Sequence, residues 1–176
     1  MPASRTFQEA AALPMTSLTA LQVLRNGAGL RPGQKLLVNG ASGGVGSSAV
    51  QLGKILGAEV TGVCSTRNVE LVRGLGVDHV VNYDEGDFAA AGVTYDVIFD
   101  CVGNRSLADS KAALTPKGVF VSVTTSAGKL VTSTACNLFR AQRETQIVVA
   151  IPSQKDLDWV AEQVAAGRYR PVLDRS

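Results

Sequence analysis

The sequence predicts an α/β protein: a doubly wound, mostly parallel sheet of six strands with helices on both faces. Three observations lead there. Short apolar runs alternate along the chain with segments of helical periodicity, the pattern of right-handed βαβ units. The strand-like runs are nearly continuous in hydrophobicity, as in a sheet covered on both sides. The stretch Lys35 to Gly57, KLLVNGASGGVGSSAVQLGKILG, reads as a strand, a glycine-dense turn and a helix, which is the opening unit of a Rossmann-type fold.

Within that unit, Lys35 to Asn39 is a buried strand and Ala41 to Gly46 is the turn. Val45, Ala49, Leu52 and Leu56 then recur at helical spacing, and Gly57 stops the helix. Such a turn lets the main chain approach a diphosphate. The first helical amides point at it, with the positive end of the helix dipole behind them. The motif departs from G-x-G-x-x-G because Ala41 stands at the first glycine, ahead of Gly43 and Gly46; alanine fits there if its φ is negative. Gly46 and Gly53 also have a purely structural reading, close packing of helix on sheet.

The remaining elements follow in order. Ser4 to Asn26 is helical, with Phe7, Ala10, Ala11, Leu18, Leu21, Val23 and Leu24 on its apolar stripe and an interruption at Pro14. Gly27 to Gly33 is a turn. Glu59 to Cys64 is the second strand. Val69 to Leu75 is a short helix closed by Gly74 and Gly76. His79 to Asn82 is the third strand, Asp84 to Gly92 a loop with one helical turn, and Tyr95 to Asp100 the fourth strand. Ser106 to Leu114 is a helix ended by Pro116 and Gly118, and Val119 to Val123 is the fifth strand. Thr124 to Thr145 is rich in Ser, Thr and Ala, with one helix around Leu138 to Gln142. Gln146 to Ile151 is the sixth strand, Asp156 to Ala166 a helix stopped by Gly167, and Tyr169 to Leu173 a candidate further strand.

A chain of 176 residues, 45% hydrophobic, suits one domain with a single sizeable core. Its formal charge of +2, with no basic cluster, gives no case for nucleic acid or a membrane surface. The three cysteines, Cys64, Cys101 and Cys136, lack metal-ligand spacing and make no zinc pattern with the lone His79. From this cysteine usage a reducing cytoplasm is the expected setting. The sequence shows no signal peptide and no apolar run long enough to span a bilayer.

The end of the second strand bears on the cofactor. An acid there would hold the adenosine ribose and repel a 2′-phosphate. About twenty residues beyond Gly43 the chain reads Cys64-Ser65-Thr66-Arg67-Asn68, without an acid. Two hydroxyls, a guanidinium and an amide make a phosphate-binding set, so NADP(H) is preferred over NAD(H). The competing reading is that Ser65 or Thr66 caps the next helix and Arg67 is a solvated charge. The missing acid also argues against methyltransferases.

Other candidates lie at the carboxyl edge of the sheet, where ligands sit in open α/β folds. Tyr83 follows the third strand, with core packing as its alternative. Cys101, Val102 and Gly103 follow the fourth, and Thr124 the fifth. Cys101 has no evident base partner and is read as a small neutral lining residue rather than a nucleophile. His79 begins a strand and is read as structural. No side chain stands out as a catalytic acid or base.

Taken together, EAAALPMTSLTALQVL (Glu9 to Leu24), LRPGQKLLVNGASGGVG (Leu30 to Gly46), VCSTRNVELVRGLGVDHVVNY (Val63 to Tyr83), YDVIFDCVG (Tyr95 to Gly103) and GRYRPVLD (Gly167 to Asp174) cover nearly the whole chain. The sequence resembles the cofactor domain of medium-chain dehydrogenases/reductases, in the zinc-independent, quinone-oxidoreductase-like branch. The resemblance implies that Gly43, Gly44 and Val45 contact the diphosphate. It implies that Ser65, Arg67, Asn68 and Tyr83 surround the adenosine 2′-phosphate. Cys101, Val102 and Thr124 would line the ribose and nicotinamide, with Thr19 approaching from the first helix. Zinc-using relatives carry a cysteine near the position of Leu13, which cannot ligate zinc, so no catalytic metal is expected.

Members of that family also carry a GroES-like catalytic domain, which has no counterpart in these residues, as in an excised domain or a truncated product. The expectation is therefore an NADP(H)-binding domain of a quinone or enone reductase that binds cofactor without turnover by itself. A non-catalytic NADPH-binding or interaction module is the alternative, and an NAD-binding domain with Arg67 idle is a further one. Family members pair sixth strands across a dimer, so Gln146 to Ile151 is the expected homodimer edge.

Overall fold

A computed structural model describes residues 7–122, 143–146 and 151–173. The strands β1 (Lys35–Asn39), β2 (Glu59–Cys64), β3 (His79–Asn82) and β4 (Tyr95–Asp100) have the bounds expected from their apolar runs. With β5 (Leu114–Ser122) and β6 (Arg143–Gln146) they form one six-stranded sheet in the order β3-β2-β1-β4-β5-β6. Each neighbouring pair is parallel. The chain leaves β1 outward through β2 and β3, then returns to β4 on the other side of β1. The order therefore reverses between β1 and β4, and a crevice opens there at the carboxyl edge.

The apolar residues divide by strand parity, because successive side chains point to opposite faces. Leu36 and Val38 of β1 join Val60, Val97, Phe99 and Val121 in one buried cluster. Leu37 joins Val63, Ile98 and Phe120 in the other. The first cluster is covered by α1 (Phe7–Gln22), α2 (Gly44–Ile55) and α5 (Gln154–Ala165), through residues such as Leu21, Leu52 and Val160. Two covered faces explain why the strands read as continuous apolar runs. Two short helices, α3 (Val69–Gly74) and α4 (Leu107–Ser110), lie in the β2–β3 and β4–β5 connections. Among the described residues no helix is long and apolar enough to cross a membrane.

Several expectations need correction. Pro14 does not interrupt α1, which runs through it before a π-turn at Val23–Gly27. Beyond the proline, the hydroxyls of Thr16, Ser17 and Thr19 donate to the carbonyls of Ala12, Leu13 and Met15 at 2.9, 2.5 and 2.7 Å. The helix at Ser106 is shorter than expected. Ser106 and Asp109 form a capping box around it, a 3-10 turn follows at Lys111–Ala113, and Leu114 already begins β5. Pro116 is tolerated because the β4–β5 register shifts between Tyr95 and Val97, where a proline withholds no ladder hydrogen bond.

The sixth strand lies earlier than its apolar run suggested, at Arg143–Gln146; Ile151 is outside it, 72% exposed. Residues 147–150 lie outside the described residues, as does the helix expected around Leu138 to Gln142. Tyr169 to Leu173 is not a strand but runs irregularly, with Tyr169 and Arg170 fastened to α2. The Tyr169 N–H donates to the Gln163 carbonyl and the Arg170 N–H to the Gln51 side chain, rather than to a sheet edge.

Candidate functional site

The crevice at the reversal point is a cleft of about 950 Å³. Its floor is the turn between β1 and α2. The left-handed residue of that turn is Gly40, with φ +81°, one position before Ala41, and no non-glycine residue described has positive φ. Ala41 therefore takes the first motif position without strain. Gly46 is required by contact: a Cβ there would lie 2.0 Å from the Gly40 carbonyl oxygen. Gly53 has the role expected of helix–sheet packing, since a Cβ would meet Leu36 at 2.7 Å.

Gly43 is the N-cap of α2 and supplies no side-chain cap. The first amides of a helix have no intrahelical partner. Those of Gly44, Val45 and Gly46 are thus left at the wall of the cleft, which these three residues line. Uncapped amides, a helix dipole behind them and bare glycine surface suit a diphosphate. The side chains present therefore fit a dinucleotide.

Across the cleft are Ser65, Arg67, Asn68 and Tyr83. Asn68 Nδ2 donates to Ser42 Oγ at 3.0 Å and to Ser65 Oγ at 3.2 Å, linking the glycine turn to the end of β2. Arg67 is exposed and makes no ion pair among the described residues. Tyr83 is 59% exposed, which removes the core-packing alternative.

Thr66 has a different employment, invisible in the local sequence. The Asp84 carboxylate accepts from the Thr66 N–H and hydroxyl, both at 2.9 Å. These hydrogen bonds hold its pKa below the usual carboxylate range. An acid thus does stand beside the end of β2, delivered by the loop after β3. It is spent on Thr66 and does not line the cleft.

The loop after β4 is shaped by the fully buried Asp100. Its Oδ1 accepts from Asn39 Nδ2 at 2.9 Å and from the amides of Val102 and Gly103 at 3.0 Å. Its Oδ2 accepts from the Arg105 amide at 3.3 Å. Asn39 Nδ2 also donates to Asn104 Oδ1 at 2.9 Å. This network presents Cys101 and the 51% exposed Val102 to the cleft. Burial, and then the Asp100 charge, push the Cys101 thiol far above its ordinary pKa, so it is no thiolate nucleophile at neutral pH. Arg105 reaches Asp87 at 3.0 Å and lies over the Phe88 ring, 5.2 Å from its centroid. That ion pair bridges the loops after β3 and β4 at the rim.

The cleft thus gathers Gly43, Gly44, Val45, Ser65, Arg67, Asn68, Tyr83, Cys101 and Val102. Thr19 is not among the lining residues, whereas Thr16, one turn earlier, is. Thr124 lies outside the described residues. Sequence reasoning overlooked Thr16, Asn39, Asn104 and Arg105. The signal available for two of them was Asp100 itself, an acid ending a strand before a glycine, which can bond the amides that follow. His79 sits at the opposite, amino end of the sheet, paired with Glu59 at 3.1 Å.

Residues 44–166 match the family model described as zinc-binding dehydrogenase. A chloroplast envelope quinone oxidoreductase homolog from Arabidopsis thaliana is 35% identical over 94% of this chain and 53% of its own length. A mitochondrial NAD(P)H oxidoreductase, RTN4IP1, from Bos taurus is 31% identical over 99% of this chain and 50% of its own. Among solved structures, the quinone oxidoreductase from Coxiella burnetii superposes with a TM-score of 0.83 at 30% identity, over 99% of this chain and 53% of that one. The chain spans about half the length of the curated relatives it matches.

Proposed function

The chain belongs to the zinc-binding dehydrogenase family of the medium-chain dehydrogenases/reductases, as the cofactor-binding half of a quinone-oxidoreductase-like member, and on that premise we propose that it holds NADP(H) for hydride transfer to a quinone or an activated carbon–carbon double bond. One observation carries the reading. A single cleft joins an uncapped helix start to a hydroxyl, guanidinium and amide set, Ser65, Arg67 and Asn68. The carboxylate that lines the same cleft, Asp87, is already paired with Arg105.

In this reading the Gly44 and Val45 amides hold the diphosphate, and Arg67 takes the 2′-phosphate in a charge-assisted contact. Asn68 keeps Ser65 and Ser42 in place as neighbouring hydroxyls. Val102 and Cys101 give an apolar, uncharged wall. Thr16 replaces Thr19 as the contribution of the first helix, since it lines the cleft and lies against Gly44. Bound nicotinamide supplies the hydride, while the chain supplies position and electrostatics. By itself the chain would bind cofactor and turn over little, because none of its cleft residues is a convincing general acid or base. No catalytic metal is part of the proposal.

Fluorescence titration with NADPH and NADH tests the reading. NADPH should bind at least about tenfold more tightly, the effect of one charge-assisted hydrogen bond. Equal affinities would remove the phosphate assignment and favour an NAD-binding domain. A homodimer through the sheet edge at β6 belongs to the same proposal, β6 being the last strand in the sheet order. Light scattering that finds only monomer at high concentration would refute it. The proposed cytoplasmic setting rests on the odd cysteine count, and cell fractionation is its check.

A further inference from the structure

Behind the glycine turn, on the side away from the cleft, a hydrogen-bonded chain links three distant segments. Tyr169 is 1% exposed, and its ring belongs to the same core cluster as α1 and α2. Its hydroxyl lies 2.8 Å from Ser48 Oγ. Ser48 Oγ in turn donates to the Gly44 carbonyl at 3.0 Å. With the Ser48 proton used there, the phenol is the donor to Ser48. Burial raises the Tyr169 pKa against the hydrogen bonds of Ser48 and Thr16, so the phenol stays protonated and able to donate.

Gly44 is also the point where α1 touches the turn. A Cβ on Gly44 would lie 3.2 Å from Thr16 Cγ2, so only a bare glycine lets that helix close in without the neighbour yielding. Thr16 is held to its own helix by its bond to Ala12. The first turn of α2 is therefore fixed from behind by Tyr169 through Ser48, and from the side by Thr16. With the Ser47 hydroxyl, which also donates to the Gly44 carbonyl at 3.1 Å, those two contacts bear on where the Gly44 and Val45 amides point.

We propose that Tyr169 is a positioning residue for the diphosphate turn, acting through Ser48 on Gly44. The proposal rests on the cleft being a dinucleotide site, but not on which dinucleotide it prefers. A diphosphate ligand should feel the loss of the phenol. A ligand that occupies only the β2 side of the cleft should not.

The test uses Tyr169→Phe, which keeps the ring and removes the hydroxyl, and Ser48→Ala, which removes the relay. Affinities are measured for ADP, NADPH and adenosine 2′-monophosphate. Both variants should weaken ADP and NADPH by about three- to tenfold and leave adenosine 2′-monophosphate unchanged. The double variant should lose less than the product of the two single losses, because both share the path through Ser48, the phenol having Thr16 as a second neighbour. Unchanged ADP affinity in either folded variant overturns the proposal. So does an equal loss for all three ligands, which marks a cleft damaged as a whole. Should Tyr169→Phe fail to fold, Ser48→Ala carries the same comparison. Wild-type protein that binds ADP without preferring NADPH removes the phosphate reading and leaves this one standing; wild-type protein that binds no ADP overturns both.

Discussion

The side-chain amide of Gln51 in α2 grips the main chain of Arg170 by both of its groups. Gln51 Nε2 donates to the Arg170 carbonyl at 2.9 Å, and Gln51 Oε1 accepts the Arg170 N–H at 3.0 Å. Gln22 does the same for Ile151, at 2.7 and 2.9 Å. Among the described residues neither segment pairs with a strand, and a glutamine amide satisfies its main-chain N–H and carbonyl instead. Through Gln51 and Ser48, α2 is tied to the segment Tyr169–Arg170 along its length, with the glycine turn at its start.

Gln51→Ala should therefore destabilise more than an ordinary surface change. Gln51 is 6% exposed, and its loss strips the two bonds to Arg170 and a third to the Ser47 carbonyl and opens a small void. The expected cost is about 2–3 kcal/mol. That corresponds to a fall in Tm of roughly 5–10 °C for a chain of this size. Thermal unfolding followed by circular dichroism measures it, and a shift under 2 °C would show the grip to be incidental.

Gly46→Ala has no room. Its Cβ would stand 2.0 Å from the Gly40 carbonyl, which is main chain and cannot swing aside. The turn must open, at a cost of about 3 kcal/mol or more. ADP binding should vanish in whatever fraction remains folded. Isothermal titration on the soluble variant decides the matter.

Arg67→Ala should leave stability unchanged, because the side chain is exposed and makes no ion pair among the described residues. Its effect should fall on one ligand. Affinity for NADPH drops roughly 10- to 100-fold, and affinity for NADH hardly moves. Equal losses for both would mean that Arg67 does not read the phosphate.

Asp156 gives a pH dependence. Burial raises its pKa, but hydrogen bonds from Gln22, Arg25 and Ser153, with the Arg25 charge, bring it below the ordinary value. A carboxyl whose folded pKa is depressed contributes stability that is complete above its unfolded pKa of about 3.9. That stability is lost as pH falls through the lower folded value. Asp156→Asn should lower stability at pH 7 by roughly 1–3 kcal/mol. It should also flatten the decline in Tm below about pH 4. An unchanged acid limb in the variant would assign the decline to other carboxylates.

The amino-acid sequence by itself determined the strands β1 to β4 and the glycine turn. Their signals are local: an apolar run of strand length, a periodicity change, and a bend that only glycines can make. It also brought Ser65, Arg67 and Asn68 to the cleft, because those residues adjoin the end of a strand whose place in the sheet is set by the same pattern. Only the tertiary structure decided which polar groups meet. Asp84 takes Thr66, Asp100 folds back on its own loop, Gln51 takes Arg170, and Thr16 rather than Thr19 faces the cleft. Thr16 and Thr19 are nearly one helical turn apart on the same helix. Which of them faces a ligand depends on how that helix is rotated and seated against α2, and that seating arises from core packing summed over residues far apart in the chain, which no local pattern encodes.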